Sequence, residues 1–134
     1  MLGRMGALEP LVVELARAAN FAALTVNLRS GRAMTHVMWV DADDDHVLIN
    51  TEVHRAKFRA IERDPRVTVT IWQRDDPYTY AEVRGRVVET TRGPEARAHI
   101  DALSRKYLGQ DYDADRIQSE RVILRIEPEV QRLH

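Results

Sequence analysis

Three strand-like runs in the first half of the chain are joined by links too short for a helix. Phe21 to Leu28 leads through the Ser30-Gly31 pair into Ala33 to Val40. The acidic run Asp41-Ala42-Asp43-Asp44-Asp45 then leads into His46 to Thr51. Parallel neighbours need a crossover of a dozen residues or more, so links this short force antiparallel pairing. The runs therefore read as an antiparallel meander, with Ser30-Gly31 and the acidic run as its turns.

The rest of the chain adds to that sheet. Apolar residues at Leu11, Val12, Leu15, Ala16 and Ala19 predict a helix over Glu9 to Asn20, with Pro10 in the first turn. A short helix spans Val53 to Arg63 and stops at Asp64-Pro65, because the residue before proline avoids helical dihedrals. Val67 to Trp72 is a strand rich in β-branched residues, and Tyr78 to Thr90 is a long one bent at Gly85. Gly93-Pro94 opens a second long helix, Glu95 to Leu108, which Gly109 stops. A polar stretch from Gln110 to Ser119 precedes a last strand from Arg121 to Ile126. Six strands in one small domain (1–134) favour an antiparallel β-barrel flanked by helices, since closure removes exposed strand edges.

Composition narrows the chemistry. A formal net charge of −1 gives no field drawing the chain to nucleic acid or an anionic membrane. No cysteine is present, which removes disulfides, thiolate metal sites and thiol nucleophiles. The amino terminus has no long apolar run, and a cytoplasmic protein without a membrane span is expected. Of the 20 basic residues only Lys57 and Lys106 are lysine, so each lysine merits attention.

The segment N-T-E-V-H-R-A-K, Asn50 to Lys57, lies where a strand gives way to a helix. First-turn amides lack intrahelical partners, and the helix dipole adds partial positive charge there. Thr51 brings a hydroxyl, Arg55 a planar fork of donors and Lys57 a compact charge, a set suited to phosphate. An ordinary solvated helix start, its cations paired with Glu52 or Glu62, fits the same spacing. His36 is a strand histidine that admits either a ligand-facing or a structural role. The acidic run lacks the glycine and distal glutamate of an EF-hand loop, and His46 and His54 are not at metal-ligand spacing. Trp39 reads as core packing, and Glu82 and Arg84, two apart on one strand, share a face, either as an ion pair beside the site or as a plain surface pair.

The order F-A-A-L-T-V-N-L-R-S-G-R, V-M-W-V, V-L-I-N-T-E-V-H-R-A-K-F-R-A-I-E-R-D-P-R-V and P-Y-T-Y-A-E-V-R-G-R-V-V-E resembles the pyridoxamine-phosphate-oxidase-like split β-barrel superfamily. Within it, the chain is similar to the branch of deazaflavin oxidoreductases that use coenzyme F-420, from about Leu15 to Val130. The resemblance implies that Arg55 and Lys57 grip the cofactor phosphate, with Asn50 and Thr51 at the preceding strand end. It implies that Met34, Thr35, His36 and Val37 run along the tricyclic ring, largely through their backbone. It also implies a homodimer with sites at the interface, where the strand bearing Trp72, Tyr78 and Tyr80 completes the partner's pocket. The implied reaction moves a hydride between F-420 and a small conjugated acceptor, with solvent or a tyrosine such as Tyr80 supplying the proton. Three alternatives stay open: an FMN-dependent oxidoreductase of the same fold; a non-catalytic flavin, haem or tetrapyrrole module, with His36 or His46 as axial ligand; and a dimerisation domain with a vestigial site.

Overall fold

In the computed structural model, residues 7–134 are described. A first helix, α1 (Pro10–Arg17), is followed by β1 (Phe21–Asn27), β2 (Ala33–Trp39), the two-residue β3 (Asp41–Ala42) and β4 (Val47–Glu52). Then come α2 (Ala56–Arg63), β5 (Arg66–Gln73), the long β6 (Asp76–Arg92), α3 (Pro94–Leu108), a 3-10 turn at Ala114–Arg116 and β7 (Arg121–Leu133). The strands form one sheet in the order β2-β1-β5-β6-β7-β4-β3, and every neighbouring pair is antiparallel.

Antiparallel pairing is thus as expected, but the three-strand meander is not. β2 pairs only with β1, while β4 pairs with β7 and with β3, at the opposite end of the sheet. The chain changes ends at Val40, which is fully buried. Its backbone has no ladder there and is satisfied by side chains from α3. The Val40 N–H donates to the Tyr107 hydroxyl at 3.1 Å, and Lys106 Nζ donates to the Val40 carbonyl at 2.6 Å. Buried peptide groups need such partners. Sequence spacing gives the turns but not which edge each strand finds, and here β5 occupies the free edge of β1. The strand count is also seven, not six. Asp41 and Ala42 extend as β3, so the turn proper is Asp43 to His46, where Asp43 Oδ1 accepts the amides of Asp45 and His46 at 2.8 and 2.6 Å.

One face of the curled sheet makes the core. Leu24, Val26, Val69, Ile71, Val83, Leu124, Ile126, Val47 and Ile49 point inward with α1 residues Val12 and Leu15 and α2 residues Phe58 and Ile61. β4 is buried along its whole length. Its inner residues join that core, while Leu48 packs beneath α3 with Ala96 and Ile123. A strand covered on both faces reads as a continuous apolar run rather than an alternating one, as V-L-I does.

Element bounds differ from expectation at three places. β6 shifts register at Gly85, where an added Cβ would lie 2.0 Å from the Glu127 carbonyl oxygen. Only glycine allows that approach. Gly85 pairs with Pro128, so the proline falls where the ladder is already interrupted, and β7 runs on to Leu133 instead of ending at Ile126. α2 begins at Ala56 rather than Val53, and residues 53–55 form the turn that delivers Arg55 to the helix N-cap. Gly109 is left-handed at φ 77° and ends α3 as expected.

Candidate functional site

A cleft of about 630 Å³ opens between β2 and β4, the two strands that the crossing at Val40 sends to opposite ends of the sheet. β2 contributes Thr35, His36, Val37, Met38 and Trp39. β4 and the start of α2 contribute Asn50, Thr51, Glu52, Arg55 and Lys57. Phe21, Ile100, Leu103, Tyr112, Arg116 and Arg121 complete the wall.

The basic corner is built by local rules. β4 ends at Glu52, and the Arg55 amide donates to the Glu52 carbonyl at 3.1 Å, closing a tight turn. Arg55 is the N-cap residue of α2, and no side chain caps the helix. Phe58 and Ile61 bury one face of α2 in the core, which places Lys57, in the first turn, at the cleft. Lys57 is only 4% exposed, yet among the described residues it has neither a hydrogen bond nor an ion pair. Burial, then the nearby charges of Arg55 and Arg121, lower its pKa from 10.5 to about 8. His36 is held below its ordinary value by its own partial desolvation and by Lys57 and Arg55. Arg55 is exposed at the cleft mouth and also has no ion pair among the described residues.

Glu52 is the only carboxylate among the lining residues, and it is fully engaged. Its Oε1 accepts the amides of Gln118 and Ser119, each at 2.7 Å, and Oε2 lies 3.3 Å from Arg121 Nη1. Burial pushes the carboxyl up, but those amides and Arg121 outweigh it and hold the pKa below the usual range. Asn50 is equally occupied. Its Nδ2 donates to the Ala96 carbonyl at 3.0 Å and lies 3.1 Å from His99 Nδ1, while Oδ1 accepts from Arg121 Nε at 2.8 Å. His99 Nε2 in turn lies 3.2 Å from Asp41. The cleft therefore presents cations that are free toward its interior, above a floor whose anion and amide are already committed. Such a set is chemically suited to an anion.

The structure brings together Asn50, Thr51, Arg55, Lys57, Thr35, His36 and Val37 of the expected set. It leaves four outside the cleft. Met34 packs partly buried against the core. Trp72 sits opposite Phe21 and Tyr80 in the sheet, Tyr80 stacks on His134 with centroids 4.4 Å apart, and Tyr78 is 88% exposed. Neither Glu52 nor Glu62 pairs with Arg55 or Lys57, so the ion pairs expected of an ordinary helix start are absent among the described residues. Trp39, read as core, instead lines the cleft and stacks on Tyr107 at 5.1 Å with Tyr112 at its edge. Glu82 and Arg84 do pair, at 2.7 Å on the outer face.

Sequence reading missed Arg121, Glu52, Tyr112 and Arg116. Arg121 stands directly opposite Glu52 in the β4–β7 ladder and over the Tyr112 ring at 5.3 Å. Only the register, set by residues far apart in the chain, reveals that pairing.

The fold and its cleft define a split β-barrel, an antiparallel sheet parted between β2 and β4 over a basic corner. Residues 8–134 match the pyridoxamine 5′-phosphate oxidase family, and the chain belongs to it. The structure is similar to an F420 reductase at 25% identity and TM-score 0.79, covering 89% of this chain and 94% of that one. The conserved hypothetical protein Rv2991 of Mycobacterium tuberculosis shares the fold at 21% identity and TM-score 0.74, over 98% of this chain and 88% of its own. General Stress Protein 26 of Bacillus anthracis shares it at 17% identity and TM-score 0.66, over 90% and 88%. No curated protein matches the chain. Among the described residues no helix is long and apolar enough to cross a membrane.

Proposed function

We propose that the protein is an oxidoreductase that holds coenzyme F-420 in the cleft and passes a hydride between it and a small conjugated acceptor. The observation that carries this reading is Lys57, buried beside Arg55 at the start of α2 and without a partner among the described residues. A buried ammonium without a partner is costly, and a phosphate seated there repays that cost. The family and the likeness to an F420 reductase support the cofactor class. FMN is the second reading, because a phosphate grip serves either cofactor.

The bound cofactor would supply the hydride chemistry. Arg55 and Lys57 would hold its phosphate, Glu52 and Asn50 would fix Arg121 in the wall, and Thr35 to Val37 would run along the ring. Trp39 and Tyr112 would offer flat apolar surface and exclude water near the reacting face. Purified protein titrated with F-420 and with FMN, read by fluorescence anisotropy, separates the two. Arg55→Ala with Lys57→Ala is expected to weaken cofactor binding on the order of a hundredfold with an unchanged circular dichroism spectrum. Unchanged affinity sinks the phosphate grip.

The reading includes a homodimer. The outer sheet face carries exposed Thr35 and Val37 opposite Thr25 and Ala23, and Val37 also borders the cleft. A second copy on this face would bring its own Trp72 of β5 and Tyr78 and Tyr80 of β6 near that border. Size-exclusion chromatography at micromolar concentration is expected to give a dimer, and a monomeric elution counts against a shared site.

A further inference from the structure

The two lysines of the chain have opposite surroundings. Lys106 Nζ donates to the Ala16 carbonyl at 3.0 Å and the Val40 carbonyl at 2.6 Å, and it lies over the Tyr107 ring. Lys57 lines the cleft with no partner among the described residues, and its charged neighbours are Arg55 and Arg121. The one carboxylate in the wall, Glu52, is held by two amides and Arg121 and so is not its counter-ion.

We propose that Lys57 is a site of reversible covalent capture for small anionic aldehydes, its amine condensing with the carbonyl while Arg55 takes the anionic group. The bond changes balance without a redox partner. The neutral Lys57 Nζ forms a bond to the carbonyl carbon, and one of its protons passes through solvent to the carbonyl oxygen, yielding a carbinolamine. The carbon–oxygen bond then breaks, the hydroxyl leaves as water with the second N–H proton, and an imine remains. Water reverses the sequence. Two features favour it. Burial and neighbouring cations lower the Lys57 amine to about 8, so a useful share is neutral and nucleophilic near physiological pH. The exposed guanidinium of Arg55, two residues away, offers a planar fork to a carboxylate or phosphate. This goes beyond hydride transfer but uses the same corner, since Lys57 and Arg55 are also the phosphate grip of that reading, so aldehyde and cofactor would compete for it.

The test uses the full chain, 4-carboxybenzaldehyde and its neutral counterpart benzaldehyde, trapped with cyanoborohydride at neutral pH. Digestion after glutamate and mass spectrometry then read each lysine in one sample. The expected result is an adduct on Lys57 about tenfold above that on Lys106. Benzaldehyde is expected to lose most of that preference, about tenfold, because it offers Arg55 nothing. Arg55→Ala should lower the carboxylated adduct more than the benzaldehyde adduct, which falls only as far as loss of the Arg55 charge raises the Lys57 pKa, and inorganic phosphate should compete in the parent protein. Equal labelling of the two lysines, an unlabelled Lys57, or no difference between the two aldehydes overturns the proposal. If Arg55→Ala misfolds, the matched aldehydes on the unaltered protein decide alone. F-420 binding without Lys57 labelling overturns this inference and spares the cofactor reading; labelling without F-420 binding does the reverse.

Discussion

The corner at Lys57 and the crossing at Val40 use the same residue type for opposite ends. At Val40 the chain leaves one end of the sheet for the other, and its stranded backbone groups are met by Lys106 and Tyr107 from α3. Tyr107 also donates to the Asn20 carbonyl, so one turn of helix ties down two separate bends. Every polar atom in that arrangement has a use within the protein. At the start of α2 the reverse holds, since Lys57 is more deeply buried than a lysine without a partner should be. A satisfied cation stabilises the fold, whereas an unsatisfied one lowers stability and leaves binding energy in reserve for a ligand.

Breaking the first region is expected to have the larger effect on stability. Lys106→Met removes the donor to two carbonyls at a buried crossing and should cost about 3 kcal/mol, read as a lower urea midpoint. Its native fraction should still bind the cofactor, because Lys106 does not line the cleft. A variant as stable as the parent would show that Val40 is held by other means.

The second region should respond more weakly, and in the opposite direction. Lys57 has a pKa of about 8 in the fold against 10.5 for the ordinary side chain. The unfolded chain therefore binds more protons between those values, and stability should rise with pH across that window. Below about 8 the cost of the buried charge is fully present and constant. Lys57→Met should flatten the rise and leave stability equal to or slightly above the parent at neutral pH. Affinity for the phosphate-bearing cofactor should fall as pH rises through about 8 in the parent, since the free protein loses the ammonium. An affinity flat through that range would show that Arg55 alone carries the grip.

Much of this was legible in the chain. The boundary at Asp64-Pro65, the stop at Gly109 and the bend at Gly85 each rest on a backbone preference of one or two residues. Arg55 and Lys57 were legible as a basic pair at a helix start, and family resemblance pointed them toward phosphate. Their isolation was not legible, because Glu52 lies three residues before Arg55 and looks like its partner. It is instead turned across the ladder to Arg121. Trp39 looked like core for a similar reason, since an aromatic at a strand end does not announce which side of the sheet is open.

The sequence by itself determined all the elements but the short β3, their antiparallel sense and the clustering of cations at the β4–α2 junction, because each depends on residues within one or two turns of chain. The tertiary structure decided the split between β2 and β4 and the fate of each lysine. Lys106 finds carbonyls 66 and 90 residues away, and Lys57 finds none among the described residues, because distant groups meet only once the sheet has curled.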